Sequence, residues 1–307
     1  SPIEPIQRPT PMYSRRLFLE STSLSGLGAA LVSLSAAVPA AHAAGKPQRQ
    51  PVLFIGHGSP MNAISHNRFT RALAAWGQRL GTPRAILVVS AHWLTRGATG
   101  VTVNEMPPTI HDFGGFPREL HEMQYPAKGH PALARAAARL IRSNPSVPTT
   151  EWGLDHGTWT VLHHLFPQAG VPVFQVSIDY DKPAAFHYAL GRELQALREQ
   201  GVLIIGSGNI VHNLRATDRD TPEQAAASRP WAQAFDDRVK RALDQREDRS
   251  LQDYLGLDMS ARMAVPTPDH YWPFLYALGA ADAGQVPRHV FEAFHSGTLS
   301  MRCLQFG

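Results

Sequence analysis

Pro51-Val52-Leu53-Phe54-Ile55-Gly56-His57-Gly58-Ser59-Pro60 is an apolar run that stops at glycine and passes at once to a histidine. Apolar residues in succession, with no polar alternation, mark a strand covered on both faces, as in a parallel sheet. The pattern recurs twice. Ala85-Ile86-Leu87-Val88-Val89-Ser90 leads to Ala91-His92, and Val202-Leu203-Ile204-Ile205-Gly206 leads through Ser207-Gly208-Asn209 to His212. Further strands are expected at residues 99–103, 171–177, 288–294 and 299–305. Between them, Phe69, Leu73, Trp76 and Leu80 recur at helical spacing, and residues 131–143, 157–166, 183–200, 225–245 and 269–278 read as helices. Alternating strands and helices predict an α/β fold: a single domain whose central, mostly parallel or mixed sheet is flanked by helices.

Sites in such sheets form outside the carboxyl ends of the strands. Three strands therefore deliver His57, His92 and His212 to one edge, each in a turn containing or flanked by small residues. His270, in Pro266-Thr267-Pro268-Asp269-His270, and His156, in Gly153-Leu154-Asp155-His156-Gly157, are further candidates. Imidazole is the commonest side-chain metal ligand. The single cysteine, Cys303, allows no thiolate cluster and no internal disulfide, so a metal site has to be built from His, Asp and Glu. The expectation is one divalent metal at the carboxyl ends of the strands. A Pro- and Gly-rich stretch, residues 104–129, is too long to be a mere connection and reads as a functional loop.

Composition sets the class. The chain has 307 residues, 43% hydrophobic and 18% charged, with 15 histidines and a formal charge of +4. That is ordinary globular composition, and without a Lys/Arg run it gives no reason to expect nucleic-acid binding. The N-terminal stretch reads differently: Ser14-Arg15-Arg16-Leu17-Phe18-Leu19, a weakly apolar run from 24 to 38, then Ala41-His42-Ala43. It predicts a twin-arginine signal peptide over residues 1–43, removed to leave a catalytic domain at 44–307, a periplasmic location and no membrane contact thereafter.

Six motifs in order carry a family resemblance. They are Gly56-His57-Gly58-Ser59-Pro60-Met61-Asn62, Val88-Val89-Ser90-Ala91-His92-Trp93, the stretch from Pro107 to Pro117 containing Thr109-Ile110-His111-Asp112-Phe113-Gly114-Gly115-Phe116, Gly153-Leu154-Asp155-His156-Gly157, Gly208-Asn209-Ile210-Val211-His212-Asn213, and Pro266-Thr267-Pro268-Asp269-His270-Tyr271. Together they resemble the class III, LigB-like extradiol ring-cleavage dioxygenases, and within them the 4,5-DOPA dioxygenase branch. The resemblance implies a metal held by His57, His92 and His270, with His212 either a fourth ligand or the acid–base group. It implies His156 beside the substrate as a second catalytic histidine. It also implies Fe2+ for ring cleavage, with Zn2+ as an alternative occupant, and a small aromatic diol and O2 as the partners in a reaction giving a muconic semialdehyde. His111, Phe113, Trp93 and Tyr271 are the expected substrate contacts, with Tyr125 and Trp272 as further aromatic walls. Three alternatives stay open at this point: a zinc hydrolase using the same imidazoles, a tetrapyrrole chelatase sharing the first motif alone, and a non-enzymatic metal-binding protein.

Overall fold

The computed structural model describes residues 47–307, which belong to one compact unit. The twin-arginine motif and the cleavage position expected at 1–43 lie outside the described residues. Six strands form the main sheet: β1 (Val52–Gly56), β2 (Ala85–Ser90), β3 (Val173–Gln175), β4 (Val202–Gly208), β5 (Arg288–Phe291) and β6 (Cys303–Phe306), in the order β3-β2-β4-β1-β6-β5. The first four are parallel, and β6 and β5 add antiparallel at one side, so the sheet is mixed.

Both faces of the sheet are covered. Val52 and Phe54 of β1, with Leu87 and Ile204, face a core formed with the helices at Pro131–Leu140, Ala184–Leu194, Pro230–Asp244 and Trp272–Ala280. Leu53 and Ile55, with Val88 and Ile205, face a second core formed with Arg68–Gly77 and His156–Leu165. Successive side chains leave a strand on opposite faces, so a strand buried on both has to be apolar throughout. Every residue of β1, β2 and β4 is buried.

Several expected elements are placed differently. Residues 299–305 do not form one strand. Leu299–Ser300 pairs with Phe294–His295 in a separate hairpin, and only Cys303–Phe306 joins the main sheet. The strand expected at 99–103 is Thr99–Thr102, which lies off the main sheet and pairs in parallel with Ser146–Thr149. The helix expected from 225 starts at Pro230, because proline lacks the N–H that an interior helical position needs and suits the first turn. The long loop contains one short helix, Arg118–Glu122.

One close approach positions the site. A Cβ on Gly206 would lie 2.2 Å from the Pro273 carbonyl oxygen, and one on Gly208 would lie 2.1 Å from that of His270. Only glycine lets the chain around His270 pack on β4 at this distance, and Asn209 N–H then donates to His270 O at 2.8 Å.

Candidate metal centre

In the parallel pairing, Gly56 of β1 is level with Gly208 of β4, and Ser90 of β2 with Ser207. The three strands therefore end together, and the chains leaving them are pinned to one another. His57 N–H donates to Gly208 O at 3.0 Å and Ala91 N–H to Ser207 O at 3.0 Å. Gly58 follows His57 at φ +62, a left-handed turn that suits glycine. His212 is held by its own N–H on Ala264 O at 2.9 Å.

Five imidazoles converge at this edge. His57 Nε2 is 3.2 Å from His92 Nε2. The His156 ring centre is 3.8 Å from that of His92, and the His270 ring lies 5.3 Å from His57 and 5.0 Å from His92. His212 stacks on His270 with centroids 3.5 Å apart and planes 4° from parallel. Among the described residues, His57, His92 and His156 each offer a ring nitrogen within 4.8 Å of the other two, a cluster able to hold one metal ion. His270 and His212 border that cluster. Its third member is thus His156, which the resemblance had placed beside the substrate; the loop carboxylate Asp112 draws it in.

The hydrogen bonds assign the tautomers. Ser207 Oγ uses its proton on the Gly157 carbonyl, so it can only accept from His57 Nδ1, 3.0 Å away. His57 is therefore an Nδ1–H imidazole with a lone pair on Nε2. His270 Nδ1 bonds Asp269 Oδ2 at 2.5 Å, which ties back the same nitrogen of that ring. Burial opposes the ionisation of Asp269, but its bond to His270 prevails and holds it well below the usual carboxylate range. Burial first, then the neighbouring imidazoles, lowers the pKa of His57, His92 and His212 well below the ordinary histidine value. Neutral imidazoles with one nitrogen tied back and the other exposed as a lone pair are the form a divalent metal requires, so the residues fit the ion.

Three carboxylate or hydroxyl partners escaped the sequence reading. Ser207 is one. Asp112 is the second: Oδ1 accepts His156 N–H at 2.8 Å, and Oδ2 lies 3.0 Å from His156 Nδ1 and 3.8 Å from His92 Nδ1. Fully buried Asp155 is the third, accepting from Ser90 Oγ, Trp152 Nε1 and Gln175 Nε2. Burial pushes its pKa up.

The expected substrate contacts separate into two groups. Phe113 lies at the site, its ring 5.6 Å from His156 and 5.4 Å from Phe116. His111 stands behind Phe113, 5.8 Å away, with Nε2 bonded to Met123 O. Trp93 points elsewhere, parallel to Trp152 in a separate cleft of about 420 Å³. Tyr271 is core: it is fully buried against Tyr254, and its hydroxyl donates to Leu251 O. Tyr125 likewise donates to Phe166 O, and Trp272 packs on His187.

A family model described as the catalytic LigB subunit of aromatic ring-opening dioxygenase matches residues 51–303. The chain belongs to the LigB family. This LigB chain is 47% identical over 264 residues to 4,5-DOPA dioxygenase extradiol of Escherichia coli K12, a match covering 84% of this chain and 95% of that protein. It is 35% identical over 259 residues to 4,5-DOPA dioxygenase extradiol of Beta vulgaris, covering 82% and 95%. A crystal structure of an uncharacterised Escherichia coli K12 protein superposes with a TM-score of 0.73 at 41% identity, covering 84% of this chain and all of that one. The protein is accordingly an enzyme, an aromatic ring-opening dioxygenase of the class III extradiol type. Its histidine cluster is in keeping with the metal dependence of the family.

The periplasmic placement is corrected by these matches. It rested on residues 1–43, which lie outside both the described residues and the family match. The kinship with the Escherichia coli dioxygenase spans nearly all of that relative and rests on the remainder of this chain. Among the described residues no helix is long and apolar enough to cross a membrane.

Proposed function

We propose that this LigB enzyme opens the ring of a small catechol, DOPA-like or a related aromatic diol, with O2 to give a muconic semialdehyde, using a catalytic domain that runs from 44 to 307. The observation that carries the reading is the convergence of imidazoles at one sheet edge, with Nδ1 of His57 and of His270 tied back and the Nε2 atoms of His57 and His92 3.2 Å apart. In this reading His57, His92 and His270 hold the metal. Fe2+ bound there supplies the Lewis acidity and the redox capacity that join a diol to O2, whereas Zn2+ in the same place supplies Lewis acidity alone.

The other residues act on protons and on the ring. His212 stacks face to face on His270, and the in-plane lone pairs of parallel rings lie in separate planes, so they do not meet at one point. That favours His212 as the base accepting the diol hydroxyl proton over a role as fourth ligand. His156, backed by Asp112, stands where its ring, once protonated, can donate to negative charge developing on the substrate oxygen. Phe113 and Phe116 form an apolar side to the site and exclude water from the bound ring.

The experiment is anaerobic loading with Fe2+ or Zn2+, followed by oxygen uptake in the presence of DOPA or caffeate. Oxygen consumption and a yellow ring-opened product with iron, and neither with zinc, are expected. Fully iron-loaded protein that consumes no oxygen with any of a panel of catechols would refute the proposal.

A further inference from the structure

The loop spanning 104–129 touches the histidine cluster through a carboxylate. Asp112 is mostly buried, with 17% of its side chain exposed. Its Oδ1 accepts the backbone N–H of His156, the first residue of the helix His156–Leu165, where a negative charge is favoured by the unpaired amides of the first turn. Its Oδ2 faces two ring nitrogens at once, Nδ1 of His156 at 3.0 Å and Nδ1 of His92 at 3.8 Å. The His156 contact is oblique for a hydrogen bond, but that buried nitrogen has no other partner. The neighbouring carboxylate, Asp155, is already engaged by Ser90, Trp152 and Gln175.

An ionised carboxylate only accepts hydrogen bonds, so a ring nitrogen turned toward it is stable as N–H. A proton on Nδ1 leaves the lone pair on Nε2. His92 is held differently: its Nδ1, 3.8 Å from Asp112, is beyond hydrogen-bond reach, and its Nε2 lies 3.2 Å from the lone pair of His57 Nε2. We propose that Asp112 is a positioning residue: its carboxylate sets the tautomer and orientation of His156, and so ties the loop bearing Phe113 to the metal centre. The inference rests on the reading of His156 as the histidine beside the substrate and adds to it the partner that orients its ring. Asn in this position keeps the shape but replaces one acceptor oxygen with an N–H2 group, which opposes Nδ1–H on the ring it meets. Glu keeps the charge on a side chain one methylene longer.

The test uses the full chain labelled with 15N at histidine. Long-range 1H–15N spectra of the metal-free protein distinguish Nδ1–H from Nε2–H rings. An Nδ1–H form at His156 is expected; an Nε2–H form there would overturn the inference without any variant being made. Asp112→Asn should move that ring toward Nε2–H. Asp112→Glu should recover part of the shift. A folded Asn variant with the wild-type His156 ring shifts would also overturn it. Should Asp112→Asn not fold, the wild-type spectrum decides. Wild-type protein that binds no Zn2+ would count against the metal reading, while the tautomers would still decide the part played by Asp112.

Discussion

Ser207→Ala removes a single oxygen from beneath the metal centre. That oxygen accepts from His57 Nδ1 at 3.0 Å and donates to Gly157 O. Ser207 is fully buried and His57 is 2% exposed, so water does not replace the lost partner. Leaving a buried donor or acceptor unpaired costs about 1–3 kcal/mol. With two groups affected, and some relaxation into the space of one oxygen, the expected loss is roughly 2–4 kcal/mol. For a domain of this size that lowers Tm by about 4–16 °C. The second consequence is chemical. Without its acceptor, His57 is free to carry its proton on Nε2, and metal binding has to reverse that tautomer. Loss of such an outer partner typically weakens binding by about 10- to 100-fold. Calorimetric melting of metal-free protein gives the first quantity, and Zn2+ titration against a competing chelator gives the second. A Ser207→Ala protein with the wild-type Tm and wild-type Zn2+ affinity would refute both the tautomer assignment and the place given to His57.

Three further outcomes follow from the packing. His187 is fully buried, accepting from Tyr276 Oη and bonded to Lys182 O, and burial lowers its pKa to about 4. The unfolded chain takes up that proton near pH 6.5, so stability is complete above that pH. It falls as pH drops toward 4, by roughly 2–3 kcal/mol at pH 4.5 from this residue alone. Urea melts between pH 7 and 4.5 should show the slope, and His187→Gln should flatten it. Tyr271→Phe should lower stability by about 1–2 kcal/mol through its bond to Leu251 O and leave KM for a catechol unchanged; a raised KM would return Tyr271 to the substrate site. Arg302→Ala should cost about 3–5 kcal/mol, because it leaves the buried Asp236 carboxylate without its bidentate partner, and melts of the variant check this.

The main sheet was legible because its inner strands are buried on both faces, which forces an apolar run at Val52–Ile55 and Ile86–Val89. Hairpin Phe294–His295 with Leu299–Ser300 was not, since two-residue strands are defined by their partners rather than by their own pattern. The five imidazoles could be singled out from their positions after strands and in glycine- or proline-marked turns. Asp112 could not, because a carboxylate in a Pro/Gly-rich loop looks solvated, and the amide it caps is 44 residues away in the chain. Trp93 and Tyr271 were misplaced for a common reason. Each adjoins a site histidine, and neighbouring side chains leave the backbone in different directions, so the residue beside a ligand is turned away from it. Phe113 reaches the site from a separate loop and shares none of that constraint.

The most direct measurement is a crystal structure of Fe2+-loaded protein with anomalous data collected at the iron edge. The account predicts one peak per chain, about 2.1 Å from Nε2 of both His57 and His92, with His57 Nδ1 still on Ser207. Fully loaded crystals with no peak between those two nitrogens, or with the iron elsewhere, would contradict it.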